Sequence, residues 1–214
     1  MKDVLVVKFG GSSIASTDLR KWVEAIEKST RRLVVVPGGG PFAKLVRQYQ
    51  TRIGYDDDAA HRMALLGMEQ FGHALTSLGT RLRPAATIEA IAAAHADGMI
   101  PVWMPAKLVF RADEIEHTWS TTSDSLAAWL AGRIEAASLC LIKQIDLPTG
   151  STIEAVSAAG VVDPGFVGLL HPATRVFVAG PSDLAVAGRR LAEGTVPGRE
   201  VAHEKQAGFV EAAQ

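Results

Sequence analysis

At 214 residues, 48% hydrophobic and 21% charged, the chain has the balance of a soluble globular protein, with enough core for a sheet covered on both faces. A formal net charge of -1 and scattered basic residues exclude a nucleic-acid groove or a membrane-binding face. The single cysteine, Cys140, rules out an internal disulfide framework, and no stretch reads as a signal peptide or bilayer span, so the expected location is cytoplasmic.

VLVVKF, Val4–Phe9, reads as a buried strand interrupted by Lys8, and Gly10-Gly11-Ser12-Ser13 turns it. Leu19, Trp22, Val23 and Ile26 then mark an amphipathic helix. Leu33–Val36 has no polar alternation, as in a strand buried on both faces of a parallel sheet. Gly38, Gly39 and Gly40 follow at once, Pro41 sits where a helix start tolerates it, and Phe42, Leu45, Val46 and Tyr49 repeat at helical spacing. A strand, a glycine turn and a helix start let backbone N–H groups approach an anion closely. The turn fits neither GxGxxG nor GxxxxGK[ST], so neither of those phosphate-binding mechanisms is read from it.

Tyr55-Asp56-Asp57-Asp58 opens a long helical stretch to about Leu78, with acids at the positive end of its dipole. Thr87–Ala96 reads as a helix and Ile100–Met104 as a strand, despite Pro101. Arg111–Thr122 is polar and loop-like, and Ser123-Asp124-Ser125 is a cap-rich start to a helix through Leu126, Trp129, Leu130 and Ile134. Leu139–Ile145 reads as a strand containing Lys143, Leu147–Gly165 as loops with a short hairpin, Arg175–Ala179 as a strand and Leu184–Glu193 as a helix. Strands and helices alternate without a linker, which indicates one α/β domain with a mostly parallel sheet.

Three signals carry chemistry. A lysine in an apolar strand is costly to bury without a partner, and Lys8 stands at the carboxyl end of its strand, the end where open α/β sheets bind ligands. It is either a phosphate ligand or a lysine reaching to water at a sheet edge, and the convergence of two glycine turns favours phosphate. Asp124 either caps its helix or holds Lys8 or a magnesium-bound phosphate. Asp146, just past the Lys143 strand, lies at a similar edge. Arg62, whose planar fork suits a phosphate, either clamps one or lies on a solvated helix face; His61, Met68 and Phe71 read as helix packing. Trp119 either stacks on a ring or anchors its loop.

VVKFGGSS, VVVPGGGPFA, STTSDSLA, CLIKQID and VFVAG…LAEGT, in that order, resemble the amino acid kinase superfamily over nearly the whole chain. The resemblance implies a three-layer α/β/α sandwich with a mostly parallel central sheet. Residues 1–120 would mainly bind the acceptor and residues 121–214 ATP. It implies ATP with Mg²⁺ held mainly by ATP phosphates, a small phosphorylated acceptor, and a homo-oligomer built of dimers. Lys8 would contact the transferred phosphoryl, and Gly10, Gly11 and Ser12 the ATP phosphates. Gly38, Gly39 and Gly40, with Arg62, Ser120 and Thr122, would hold the acceptor, and Asp124 would orient the lysines. Lys143, Asp146, Thr149 and Gly150 would stand beside the nucleotide.

The sequence departs from the family's pattern in two places. KQIDLPTG stands where relatives usually read TDVDG, and no lysine lies between Lys143 and Lys205 to aim at the ATP phosphates. Lys143 is expected to take over that task and to share Asp124; Arg175, Arg189, Arg190 and Arg199, and His171 when protonated, are other cationic candidates in that stretch. TTSDSLAAWLA, LIKQID and AHRMALLGMEQFGHAL are most similar to a branch of methanofuran biosynthesis. Its acceptor is (5-(aminomethyl)furan-3-yl)methyl phosphate, converted to the diphosphate. Other anionic acceptors, such as isopentenyl phosphate, uridylate or a carboxylate, and a non-catalytic storage or sensing protein are the competing readings. An anionic acceptor needs no general base, which agrees with the lack of an obvious Asp-His or Glu-His pair.

Overall fold

The computed structural model describes residues 3–202; Lys205 lies outside the described residues. Its sheet contains β1 (Val4–Phe9), β2 (Arg32–Val36), β3 (Leu82–Ala85), β4 (Ile100–Trp103), β5 (Ser138–Ile142), β6 (Arg175–Ala179) and β7 (Arg199–Val201). They stand in the order β3-β4-β2-β1-β5-β6-β7. The pairs from β3 to β6 are parallel, and β7 is antiparallel to β6.

Strand alternation explains why helices cover both faces. Val4 and Val6 of β1, Val34 and Val36 of β2, and Leu139 and Leu141 of β5 enter one core. Their neighbours Leu5, Val7, Phe9, Leu33, Val35, Cys140 and Ile142 enter the other, so a continuous apolar run is what a doubly covered strand needs. The first core is closed by α4 (Ile88–Ala96), α6 (Ser123–Arg133), α7 (Ile153–Ala158) and α8 (Phe166–Leu169). The second is closed by α1 (Leu19–Glu27) and α9 (Leu184–Ala192). Of the remaining helices, α2 (Gly40–Ile53) and α5 (Ala106–Val109) both pack on the long α3 (Asp57–Thr76), which sends Leu65 and Met68 into one core and Phe71 and Leu75 into the other. The result is a three-layer α/β/α fold. Among the described residues no helix is long and apolar enough to cross a membrane.

Four local expectations need correction. β5 stops at Ile142: Lys143 N–H makes one more bond to the neighbouring strand, at Ala179 O, and the chain then turns away. Leu147–Gly165 contains no hairpin: Thr152 caps α7 by accepting from Ala155 N–H, and its pairing is an isolated parallel bridge to Ala202. The edge strands β3 and β7 are additions; Pro84 fits β3 because an edge tolerates a missing donor. Finally, Thr122 rather than the Ser-Asp-Ser run occupies the N-cap of α6, and its hydroxyl bonds Asp163 instead of capping the helix.

Candidate active site

Parity also fixes where Lys8 points. It follows Val4 and Val6 onto the face covered by α6, and β1 is central, so its side chain has no sheet edge from which to reach water. Lys8 is 3% exposed. Its partner is Asp124 in the first turn of α6, with Lys8 Nζ 2.7 Å from Oδ1. Lys143, one residue past β5 on the adjacent strand, reaches the same carboxylate, donating to Oδ2 at 2.7 Å and to Val161 O at 2.5 Å. A buried ammonium group and a partly buried one therefore share one buried carboxylate. Burial works against the charge on Asp124, but Lys8 and Lys143 together outweigh it and hold the carboxyl below its usual range. Burial, and then the proximity of Lys8, lowers the pKa of Lys143, with Asp124 and Asp163 opposing the shift.

The two glycine turns meet beside this cluster at the carboxyl edge of β1 and β2. A side chain on Gly11 would lie 2.5 Å from Gly40 N, and one on Gly38 would lie 2.5 Å from Gly11 N and 2.7 Å from Phe9 O. Gly40 has φ +54, a left-handed conformation that suits glycine, and it opens α2 directly. The atoms that a new side chain would meet are backbone and cannot rotate away. Gly38→Ala is accordingly expected to destabilise the fold by about 1–3 kcal/mol, read as a lower urea midpoint at unchanged slope.

Between α2, α3 and the loop before α6 lies a cleft of about 340 Å³ with Lys8, Gly11, Gly39, Gly40 and Asp124 along its lining. Its outer lining includes Lys44 and Arg47 of α2, Asp57 and His61 of α3, and Trp119. Arg47 stacks over the Trp119 ring at 4.3 Å, and the indole N–H donates to Gln50 Oε1 at 2.6 Å, so Trp119 is both a loop anchor and a flat wall. Lys44 and Arg47 were missed by sequence reasoning, although their i, i+3 spacing behind the glycine turn puts them on one helix face.

Most of the other expected site residues lie off the lining of this cleft. Arg62 is not on the cleft lining; it pairs with Asp58 four residues earlier at 2.8 Å and lies over Phe110. Thr122 lines the cleft, but its N–H and hydroxyl both donate to Asp163, while Ser120 is exposed and uses its carbonyl to accept from Gly165 N–H. Gly10 is buried, its N–H donating to Ile142 O, and Ser12 is exposed. Gln144, just past Lys143, donates to Ser13 Oγ. Asp146 accepts from Ser182 N–H and hydroxyl, Thr149 accepts from Arg199, and Gly150 turns at φ +80. These contacts tie the loops after β1, β5 and β6 together at the carboxyl edge.

His61 is 7% exposed, with Nε2 buried and unpartnered, and its ring stacks on His117 at 4.3 Å. Burial, then the nearby His117, lowers its pKa to about 4, with Arg62 acting in the same direction and Asp58 against it. The folded value is depressed below the ordinary 6.5, so the unfolded chain takes up the proton first as pH falls. The contribution is full above pH 6.5 and declines toward pH 4, by about 3 kcal/mol in total. Thermal melts from pH 7 to 4 should show a steeper loss for the wild type than for His61→Leu.

The profile of the amino acid kinase family matches residues 3–147. Over 162 residues, covering 72% of this chain and 74% of the relative, the sequence is 24% identical to the [5-(aminomethyl)furan-3-yl]methyl phosphate kinase of Methanocaldococcus jannaschii. The fold is similar to that of uridylate kinase from Archaeoglobus fulgidus, with TM-score 0.66 and 16% identity, over 94% of this chain and 100% of the other. It is also similar to UMP kinase from Ureaplasma parvum, with TM-score 0.62 and 16% identity, over 85% of this chain and 91% of the other.

Proposed function

We propose, since this chain belongs to the amino acid kinase family and is thereby a phosphotransferase, that it moves the γ-phosphoryl group of ATP to a small acceptor that is already an anion. The observation that carries this reading is the trio Lys8, Asp124 and Lys143. Two lysines meet at one carboxylate, and Lys8 lies on the cleft lining, where an anionic ligand would complete the partnering of its charge. Phosphoryl transfer asks the protein for positioning and charge neutralisation, and this cluster between two glycine turns offers both.

In this reading the acceptor phosphate lies in the cleft against Lys8 and the turn of Gly38, Gly39 and Gly40, with Lys44 and Arg47 drawing it in. The ATP phosphates lie across Gly10, Gly11 and Ser12 and meet Lys143. Asp146, Thr149 and Gly150 border the nucleotide side. Among the described residues no group of three His, Cys, Asp or Glu could hold a metal ion, and Asp124 is engaged by both lysines. These residues do not fit a protein-held magnesium; the ion would enter on the nucleotide, coordinated by its phosphates and water.

For the acceptor we favour an aminomethyl-furan methyl phosphate, the compound named for the Methanocaldococcus jannaschii relative. The cleft supports it through a cationic end for phosphate, the Trp119 wall for a ring, and Asp57 for an ammonium group. Asp57 is the one carboxylate on the described lining apart from Asp124. The test is incubation of the purified protein with ATP, Mg²⁺ and a panel of phosphorylated alcohols, read by phosphorus NMR. A new diphosphate signal with the furan phosphate supports the full reading. Turnover of isopentenyl phosphate or uridylate instead would overturn the acceptor while keeping the kinase. Ligand binding without any transfer would favour a storage or sensing protein.

A further inference from the structure

The loop between α7 and α8 is attached to the charged cluster at three successive points. Val161 O accepts from Lys143 Nζ. Two residues on, Asp163 Oδ2 accepts from Thr122 N–H and Ser125 N–H at 3.1 and 3.2 Å and from the Thr122 hydroxyl at 2.7 Å, while Oδ1 accepts from the Ser125 hydroxyl. Two residues further, Gly165 N–H donates to Ser120 O at 2.8 Å. Thr122 and Ser125 bracket Asp124, so one carboxylate grips the helix start on both sides of the residue that orients the lysines.

We propose that Asp163 is a positioning residue of the phosphoryl-transfer site, holding Asp124 through the start of α6 and supplying the second negative charge that faces Lys143. The proposal rests on reading the trio as that site. Its geometry accounts for an otherwise unfavourable arrangement: two lysines drawn to one carboxylate repel each other, and a fixed anion two residues beyond Val161, whose carbonyl accepts from Lys143, offsets that repulsion without lining the cleft. Asp163 is not on the lining of the cleft, so it would act through Asp124 and Lys143 rather than on an acceptor.

The charged groups acting on Lys143 are Lys8 from β1, Asp124 from α6 and Asp163 from this loop, with burial and Lys8 lowering its pKa and the two acids raising it. A merely structural cap would leave that balance alone. The experiment therefore follows lysines labelled with carbon-13 at Cε in the ligand-free protein by NMR, with the Lys143 signal assigned by its loss in Lys143→Arg. Asp163→Asn keeps an oxygen for the N–H groups of Thr122 and Ser125 and removes the charge. Its Lys143 signal is expected to titrate about one pH unit lower than in the wild type. With substrates present, kcat should fall about tenfold at little change in KM, and its alkaline limb should move down with the lysine. An unchanged Lys143 titration overturns the proposal. If Asp163→Asn does not fold, Thr122→Val with Ser125→Ala removes the two hydroxyl donors and loosens the carboxylate, which keeps its charge and its two N–H donors; a smaller shift in the same direction supports the proposal and no shift overturns it. The titration needs neither ATP nor acceptor. A panel without turnover would therefore count against the kinase reading alone, and a normal titration in an active enzyme against Asp163 alone.

Discussion

Lys8→Met is expected to lower kcat by about 10²–10³-fold while KM for either substrate changes little, because its charge acts mainly as the phosphoryl group moves between two anions. The effect on stability should be opposite to intuition. In the wild type Asp124 faces Lys8 and Lys143 at 2.7 Å each, and removing Lys8 leaves Asp124 still paired with Lys143. The repulsion between the lysines and the burial cost of one ammonium both vanish, while the apolar stem is kept by methionine. The melting temperature should therefore equal or exceed that of the wild type. Steady-state kinetics beside a thermal melt would separate the two effects. A near-normal kcat would make Lys8 a structural residue and remove the main support for the proposed chemistry.

The second large effect is expected at Lys143. Lys143→Met should weaken ATP use by about 2–5 kcal/mol, the range for removing one partner of a buried, hydrogen-bonded charge pair. Lys143 is not on the lining of the acceptor cleft, so KM for the acceptor should stay close to normal. Lys143→Arg should rescue poorly: the planar guanidinium needs more room than the space between Asp124 Oδ2 and Val161 O, and its fork does not reproduce a point charge. Arg175 is a poor substitute because it opens β6 at the opposite, amino-terminal edge, where both of its bonds go to Glu200. Full activity in Lys143→Met, measured over a range of ATP concentrations, would remove the assignment.

The layers and the charged trio were legible because they rest on short-range rules. Unbroken apolar strands announce burial on both faces, and strand parity sends Lys8 and Lys143, on neighbouring strands, to the same side as α6. The spacing of Asp58 and Arg62 held a usable signal too, since an i, i+4 ion pair competes with any role for Arg62 at a ligand. Asp163 was not legible. VVDPGF reads as an ordinary turn, and its partner Thr122 lies 41 residues earlier, so its importance arises only when two distant loops meet. The strands β3 and β7 were hidden because four and three residues hold too little periodicity to separate them from loop.

The strand order also has a consequence for how the protein comes into being. β1 is synthesised well before one of its two neighbours, β5, which is finished only at Ile142, and the counterion of Lys8 waits on residue 124. Until then the nascent sheet carries an open edge next to a lysine that has no carboxylate. The N-terminal half is thus poorly suited to stand as a folding unit by itself, and closure of β1 against β5 would cover that edge and assemble the charge cluster in one late, long-range step. The groups proposed to transfer phosphate are the same ones that make the early chain wait for the rest of itself.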